Sequence, residues 1–379
     1  MHYSNPEELI HDLNESGPGC ESFVKIAANR PLVIYGHGQG YNTFTIFVLR
    51  KLGLKPALIL DRKFSQGIEI DGCPAISPVN FMPDKVLLRH ALLIVTVGKR
   101  QYHDEIIIHI KSLGFKDFLF ATDIYEYHLA YSSQDDVAYD FNYFWRNFEA
   151  ISHAFQTLSD EKSKVVFLEL LYTYAFKKII QVTHEHYEDQ YFPSDLTLNA
   201  GYSRLINCGS FDGDTVRTLI KKEGKISALA CFEPDETNFS RLSAYLRSEK
   251  HEIADLIVAF PCGLWSNSCV LSFDDNKGTN CNVSEVGDRK LQCVSIDEVL
   301  IGFEPTFINM DIEGSEPQAL EGARNTISTY QPDLAISVYH RPNHLWEIIE
   351  QVSKLSSAYK FYLRNYSGYP AETVLYATA

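Results

Sequence analysis

The chain has 379 residues, 45% of them hydrophobic and 22% charged, which is long enough for two hydrophobic cores and too apolar for a disordered protein. Its 34 basic and 49 acidic side chains leave a formal charge of −15, which repels nucleic acid and anionic lipid unless a basic patch intervenes, and the sequence contains none. The start, Met1-His2-Tyr3-Ser4-Asn5-Pro6-Glu7-Glu8, has neither a basic stretch nor an apolar core, and no apolar run reaches membrane-spanning length. The eight cysteines form no Cys-x-x-Cys pair and several lie in strand-like runs, so the expectation is a cytoplasmic protein with reduced thiols and no membrane span; a homo-oligomer is compatible with all of this.

Between residues 31 and 127, short apolar runs at 32–35, 57–61, 92–97 and 117–121 alternate with helix-length amphipathic stretches at 41–52 and 102–113. That order predicts a small Rossmann-like α/β domain over residues 1–130 with a parallel sheet. Its first strand runs into Gly36-His37-Gly38-Gln39-Gly40, and Asp61 ends the next one. Glycines let a backbone approach phosphate and an acid at a strand end can hold a ribose, which is the outline of a nucleotide site. The third glycine comes one place early, where Tyr41 stands instead, so the turn suits a nucleotide more than NAD specifically. A docking or dimerising domain with an empty glycine turn is an equal reading.

Residues 131–190 read as a helical connector. Phe141, Phe144, Trp145, Phe148, Ile151 and Phe155 recur at the spacing of one helix face. A second helix follows, with Ser159 as its cap, Asp160 and Glu161 at its positive end and the apolar residues of 165–180 on its face. His184-Glu185-His186 has ligand-type residues in a polar stretch and is expected to be solvated. Strands resume at 205–207, 228–232, 256–259, 306–310 and 334–339, and the runs 359–363 and 373–377 flank a short loop with Ser367-Gly368-Tyr369-Pro370, as an antiparallel hairpin would. Seven strands with that ending predict a doubly wound sheet over residues 191–379. The loop 276–288 takes no assignment.

The strand at 205–207 leads into Cys208-Gly209-Ser210-Phe211-Asp212-Gly213-Asp214 and then a helix, while the next strand ends at Glu233-Pro234. A glycine turn between strand and helix, followed by an acid at the second strand end, favours a nucleoside ligand. Further strand ends bring Phe260-Pro261-Cys262-Gly263, then Asp311, Glu313 and Glu316 in Asn309-Met310-Asp311-Ile312-Glu313-Gly314-Ser315-Glu316, then His340 in Val338-Tyr339-His340-Arg341. In open α/β sheets, ligands gather at this edge.

These residues resemble the FkbM-type methyltransferases. The resemblance covers about 190–379 through Tyr191-Phe192-Pro193, the glycine turn from Asn207 to Thr215, Phe232-Glu233-Pro234-Asp235, Met310-Asp311-Ile312-Glu313-Gly314-Ser315-Glu316 and Leu320-Glu321-Gly322-Ala323. It implies a class I methyltransferase fold with a seven-stranded sheet, S-adenosylmethionine as cofactor, and O-methylation of sugar or natural-product hydroxyls. Carried over residue by residue, it puts Asn207, Gly209, Ser210, Asp212, Gly213 and Asp214 at the methionine part of the cofactor, with Glu233 and Pro234 at the ribose. The family usually has Asp where this chain has Asn207. An amide keeps an acceptor and loses the charge, which Asp212 and Asp214 could partly replace. The first half is more distantly similar to the Rossmann-like domains at the N-termini of sugar-modifying acyltransferases, which bind nucleotide sugars.

Methyl transfer is an in-line displacement and depends on positioning, with a general base helping a neutral hydroxyl. His340 is the first candidate for that base and Asp311 the second. Asp311, Glu313 and Glu316 could instead hold a divalent cation, although acids at a helix entry explain the same pattern and the metal is the less favoured reading. Two rival functions stay open. One is a decayed nucleotide-sugar-binding or scaffold protein, motivated by Asn207; the other, disfavoured by the displaced third glycine, is a nicotinamide-dependent oxidoreductase.

Overall fold

The computed structural model describes residues 3–16, 23–50, 52–82, 84–97, 102–124, 141–273, 283–284 and 289–379. The expected boundary near residue 130, most of the loop 276–288, and Cys20 and Cys281 lie outside them. The chain divides into two compact units: one comprises residues 19–131 and 177–179, the other residues 1–18, 132–176 and 180–379.

The smaller unit is built on a six-stranded sheet. Its strands are β1 (Leu32–Tyr35), β2 (Pro56–Leu60), β3 (Ile68–Ile70), β4 (Cys73–Ile76), β5 (Leu92–Val95) and β6 (Phe118–Phe120), in the order β3-β4-β2-β1-β5-β6. All neighbours are parallel except the edge pair β3 and β4. Residues Leu32 to Tyr35 and Leu92 to Val95 are buried without a break, as strands covered on both faces must be. Ile34 and Ile94 enter one core; Val33, Leu93 and Val95 enter the other.

The larger unit carries a seven-stranded sheet: β7 (Arg204–Cys208), β8 (Ile226–Phe232), β9 (Ala254–Phe260), β14 (Phe307–Met310), β15 (Asp333–Ser337), β16 (Lys360–Asn365) and β17 (Thr373–Thr378), ordered β16-β17-β15-β14-β7-β8-β9. Only β17 is reversed, pairing antiparallel with both β15 and β16, so the terminal hairpin and the doubly wound sheet are as the sequence predicts. A second sheet, unanticipated by the sequence pattern, joins β10 (Gly263–Leu264), β11 (Cys269–Phe273), β12 (Val283–Ser284) and β13 (Arg289–Val294) between β9 and β14. Period-two alternation splits the main sheet between two cores. Ile206, Ala230 and Ile308 face one, and Leu205, Leu229 and Phe307 face the other.

The first core also takes in the helices Pro6–Ser16, Phe148–Thr157, Glu161–Phe176 and His344–Leu355. The aromatic run from Phe141 forms two helices instead of one, Phe141–Arg146 and Phe148–Thr157, broken at Asn147. Phe144 and Ile151 are buried in consequence, while Trp145 is turned to solvent. The cap of the next helix is Asp160, whose carboxylate accepts from the amide of Ser163 at 2.8 Å. Ser159, the expected cap, instead accepts through its hydroxyl from the amide of Phe361 at 3.2 Å and so ties the helix start to β16. Asp160 also meets the buried guanidinium of Arg364 at 2.6 Å, and Asp195 meets it at 2.9 Å. His184 and His186 are exposed, and Glu185 pairs with Lys162 at 2.8 Å. Among the described residues no helix is long and apolar enough to cross a membrane.

Candidate active site

The carboxyl edges of β7, β8, β14 and β15 bring the larger unit's predicted residues together. At the end of β7 the chain turns through Gly209, whose φ is +82°. A β-carbon there would stand 1.9 Å from the carbonyl oxygen of Asp311, so only glycine lets the turn lie against the end of β14. The Ser210 hydroxyl donates to the carbonyl of Asn207 at 2.9 Å, which fixes the turn from inside. Gly213, with φ +93°, begins the helix Asp214–Glu223 and faces Tyr245 at 2.8 Å from the position of a β-carbon.

Glu233 follows β8 and is 6% exposed. Its two carboxylate oxygens accept from the amides of Phe211 at 2.7 Å and Asp235 at 2.9 Å, binding strand end and glycine turn into one unit. Burial pushes its carboxyl above the ordinary value, offset in part by those two amides. Pro234 continues the chain toward Asp235, which caps the helix Glu236–Ser248.

Asn207 is fully buried and stands opposite Asn309 in the β7–β14 register. Its carbonyl oxygen accepts from the Asn309 side-chain amide at 3.0 Å, which leaves the Asn207 Nδ2 and the Asn309 Oδ1 without partners. Asp212 is engaged by Arg217, and Asp214 is exposed and accepts from the amide of Thr215 at 2.7 Å.

The other half of the site is built on β14 and β15. Asp311 accepts from the Tyr191 hydroxyl at 2.5 Å and, at the other oxygen, from the Tyr339 hydroxyl at 3.4 Å. His340 is 3% exposed, with Nδ1 2.9 Å from Glu316 and Nε2 3.3 Å from Asp311 and 3.4 Å from Glu313. Glu316 is fully buried and accepts from the amides of Ile312 at 3.0 Å and Gly314 at 3.3 Å, so it closes the loop at the helix entry. Burial alone would lower the imidazole and raise the carboxyls. The charge of Glu316 instead raises His340 to about 10, and His340 holds Glu316 down at about 2. Burial pushes Glu313 up to about 7 against the pull of His340, although half its side-chain surface meets solvent. His344, buried behind Glu316 at 3.4 Å, is lowered to about 4 by burial.

Several contributors escaped the sequence reading. Gln190 donates to Glu372 at 2.6 Å in the β16–β17 turn, and burial raises the Glu372 carboxyl, with Asp311 adding to the rise and His340 opposing it. The Tyr191 amide donates to the Tyr376 hydroxyl at 2.9 Å, which aims the Tyr191 ring at Asp311. Tyr191, Phe211, Glu313 and Glu372 all take positive φ, at 66°, 45°, 56° and 54°. For non-glycine residues this conformation is costly and concentrates at functional sites. Strain of that kind leaves no local pattern in a sequence.

In the smaller unit the glycine turn after β1 is similarly tight. Gly36 has φ +102°, and a β-carbon on Gly40 would stand 2.1 Å from the carbonyl oxygen of Thr96. The Asp61 carboxylate accepts from the amides of His37 at 2.6 Å and Lys63 at 2.9 Å.

Residues 207–363 match the family model of the methyltransferase FkbM domain. The whole chain is similar to the crystal structure of methyltransferase FkbM from Methylobacillus flagellatus KT, with a TM-score of 0.72 and 25% identity over 98% of this chain and 97% of that one. Fibrillarin from Aeropyrum pernix, in complex with natively bound S-adenosyl-L-methionine, aligns over 50% of this chain and 72% of its own at 9% identity and a TM-score of 0.32, too distant to carry an argument. No curated protein matches.

Proposed function

We propose that the FkbM methyltransferase domain formed by residues 207–363 carries out S-adenosylmethionine-dependent O-methylation, the acceptor being a sugar hydroxyl of a glycoconjugate, a polysaccharide precursor or a natural product. The observation that carries this reading is the meeting of a glycine turn, the Glu233 carboxylate and the Asp311 carboxylate at one edge of the sheet. The residues fit the cofactor. The turn has no side chain at Gly209 to stand off a ligand, and each Glu233 oxygen, holding one amide, retains capacity for a ribose hydroxyl. When bound, S-adenosylmethionine supplies an electrophilic methyl. The turn from Asn207 to Asp214 and Glu233 with Pro234 would hold it.

Asp311 is the better-placed proton acceptor. Its side chain is 24% exposed, and the two tyrosine hydroxyls fix its orientation. His340 has Nδ1 committed to Glu316 and Nε2 turned toward Asp311 and Glu313, so it meets an acceptor only past those carboxylates. Positioning of the hydroxyl supplies most of the rate, and a base near it adds roughly 10²–10⁴-fold. The Tyr191 and Tyr339 hydroxyls beside Asp311 and the Glu313 carboxylate beside His340 are the partner types that sugar hydroxyls need.

Calorimetric titration with S-adenosylhomocysteine tests the cofactor half without a known acceptor. Micromolar binding, followed by mass-spectrometric detection of methylated product among sugar acceptors, is the expected outcome, and no binding would sink the reading. The buried Asn207–Asn309 pair, an amide where the family carries a charge, favours one rival: cofactor binding without turnover.

A further inference from the structure

We infer that Asp311, Glu313 and the Nε2 atom of His340 form a site for one divalent transition cation, best matched by Mn²⁺, whose open positions take oxygens of the acceptor. The inference deepens the methyltransferase reading, on which its purpose, though not its test, depends. The observation behind it is an orphan. His340 is 97% buried, yet its Nε2 has no hydrogen-bond partner, although two carboxylate oxygens lie 3.3 and 3.4 Å away. At such distances a well-aimed N–H would have formed a hydrogen bond; the nitrogen faces the gap between the carboxylates instead.

The spacing suits metal ligands. Bonds of about 2.1 Å place neighbouring ligand atoms roughly 3.0 Å apart in an octahedron and about 3.4 Å apart in a tetrahedron. Asp311, Glu316 and His340 bring ligand-type atoms within 4.8 Å of one another. Glu316 is the outer partner of this group because its Oε1 faces His340 Nδ1 at 2.9 Å while accepting from the Ile312 and Gly314 amides, and its Oε2 is turned toward His344 Nδ1 at 3.4 Å. A carboxylate on one ring nitrogen orients the other toward a metal and raises its basicity. Asp311 is likewise held by the Tyr191 hydroxyl, a second outer contact. Glu313 is strained at φ 56° and half-exposed, so its carboxylate can complete the shell. One imidazole with two carboxylates favours Mn²⁺ over Ca²⁺, which takes an all-oxygen shell.

The test uses the full chain, stripped with a chelator and dialysed. Titration with MnCl₂, followed by the loss of the free-ion electron paramagnetic resonance signal, should give one saturable site per chain. His340→Ala should abolish it, and Glu316→Gln should weaken it about 10–100-fold. S-adenosylhomocysteine titration of the same samples reports folding and cofactor binding separately. Cofactor binding without saturable Mn²⁺ binding overturns the metal site and leaves the methyltransferase reading intact. Mn²⁺ binding unchanged in a folded His340→Ala chain overturns it too. Mn²⁺ binding without cofactor binding upholds the site and sinks the function proposed for it, while loss of both in the wild type sinks both.

Discussion

The two units contain the same turn built twice. After β7 and after β1 the chain passes through a glycine at positive φ, Gly209 and Gly36, and presses a glycine against a carbonyl of the neighbouring strand end, Gly209 on Asp311 and Gly40 on Thr96. An acid then follows the next strand and accepts two amides, one from the turn and one two residues along its own chain: Glu233 from Phe211 and Asp235, Asp61 from His37 and Lys63. What differs is the surroundings. Beside the first turn stand Asp311, His340, Glu313 and Glu316; beside the second, the ammonium of Lys63 contacts the carbonyl of His37 and lies 2.7 Å from its Nδ1. A glycine turn with an acid is therefore a way of joining two strands to a helix. Chemistry is specified by what the adjacent strand ends add.

The largest expected effect comes from filling the turns. Gly209→Ala forces a β-carbon into the Asp311 carbonyl and strains a left-handed backbone, costing about 1–3 kcal/mol for overpacking and roughly as much again for strain. S-adenosylhomocysteine affinity should fall with it. Gly40→Ala should destabilise by overpacking to a similar degree in chemical denaturation while leaving that affinity within about twofold once folded. Equal loss of affinity in both variants would break the assignment of the cofactor to the larger unit.

Next in size is the acid. Glu233→Ala should cost about 2–4 kcal/mol of S-adenosylhomocysteine affinity, since each hydrogen bond to a charged group contributes roughly 1.5–3 kcal/mol. Asp61→Ala should leave it unchanged. Retained affinity in a folded Glu233→Ala chain would remove the ribose assignment.

The sequence made one part of this contrast legible and hid the other. Strand runs such as Leu229-Ala230-Cys231-Phe232 and the glycine turns are local signals, and both the seven-stranded sheet and its hairpin follow from them. Long-range relations left no such trace. Glu372, in the β16–β17 turn, is bonded by Gln190, 182 positions away in the chain, and the Tyr191 amide by the Tyr376 hydroxyl, 185 positions away. The aromatic spacing from Phe141 suggested one helix face, but the break at Asn147 turned Trp145 outward. Ser159 reads as the helix cap in the sequence, but Phe361 on β16 engages its hydroxyl and Asp160 takes the capping role instead.

A smaller effect is expected from pH. Burial raises the Glu233 carboxyl, and the ionised form is the better acceptor for hydroxyls. As pH falls through the raised value the group gains a proton and affinity drops, by at most about tenfold per pH unit. Affinity for S-adenosylhomocysteine should therefore begin to decline at a higher pH than an exposed glutamate would give, and Glu233→Gln should flatten that decline. A wild-type profile matching the Gln variant would mean that Glu233 does not meet the ligand.

The smallest expected effect is the most informative about the departure at Asn207. In Asn207→Asp the oxygen that accepts from the Asn309 amide is kept, and the unpartnered Nδ2 donor is replaced by a second acceptor. The cost is a charge at a fully buried position, so the ligand-free protein should lose stability in thermal denaturation, by up to several kcal/mol for a carboxylate that stays ionised. If the cofactor's positive groups reach this residue, S-adenosylhomocysteine should bind a few-fold tighter and restore the lost stability by linkage. Tighter binding would show that the amide weakens a working site, and would make the wild-type chain a methyltransferase tuned to low cofactor affinity. Unchanged affinity with lowered stability would show that the Asn207–Asn309 pair serves only to join β7 to β14, and the rival of cofactor binding without turnover would lose the observation that motivates it.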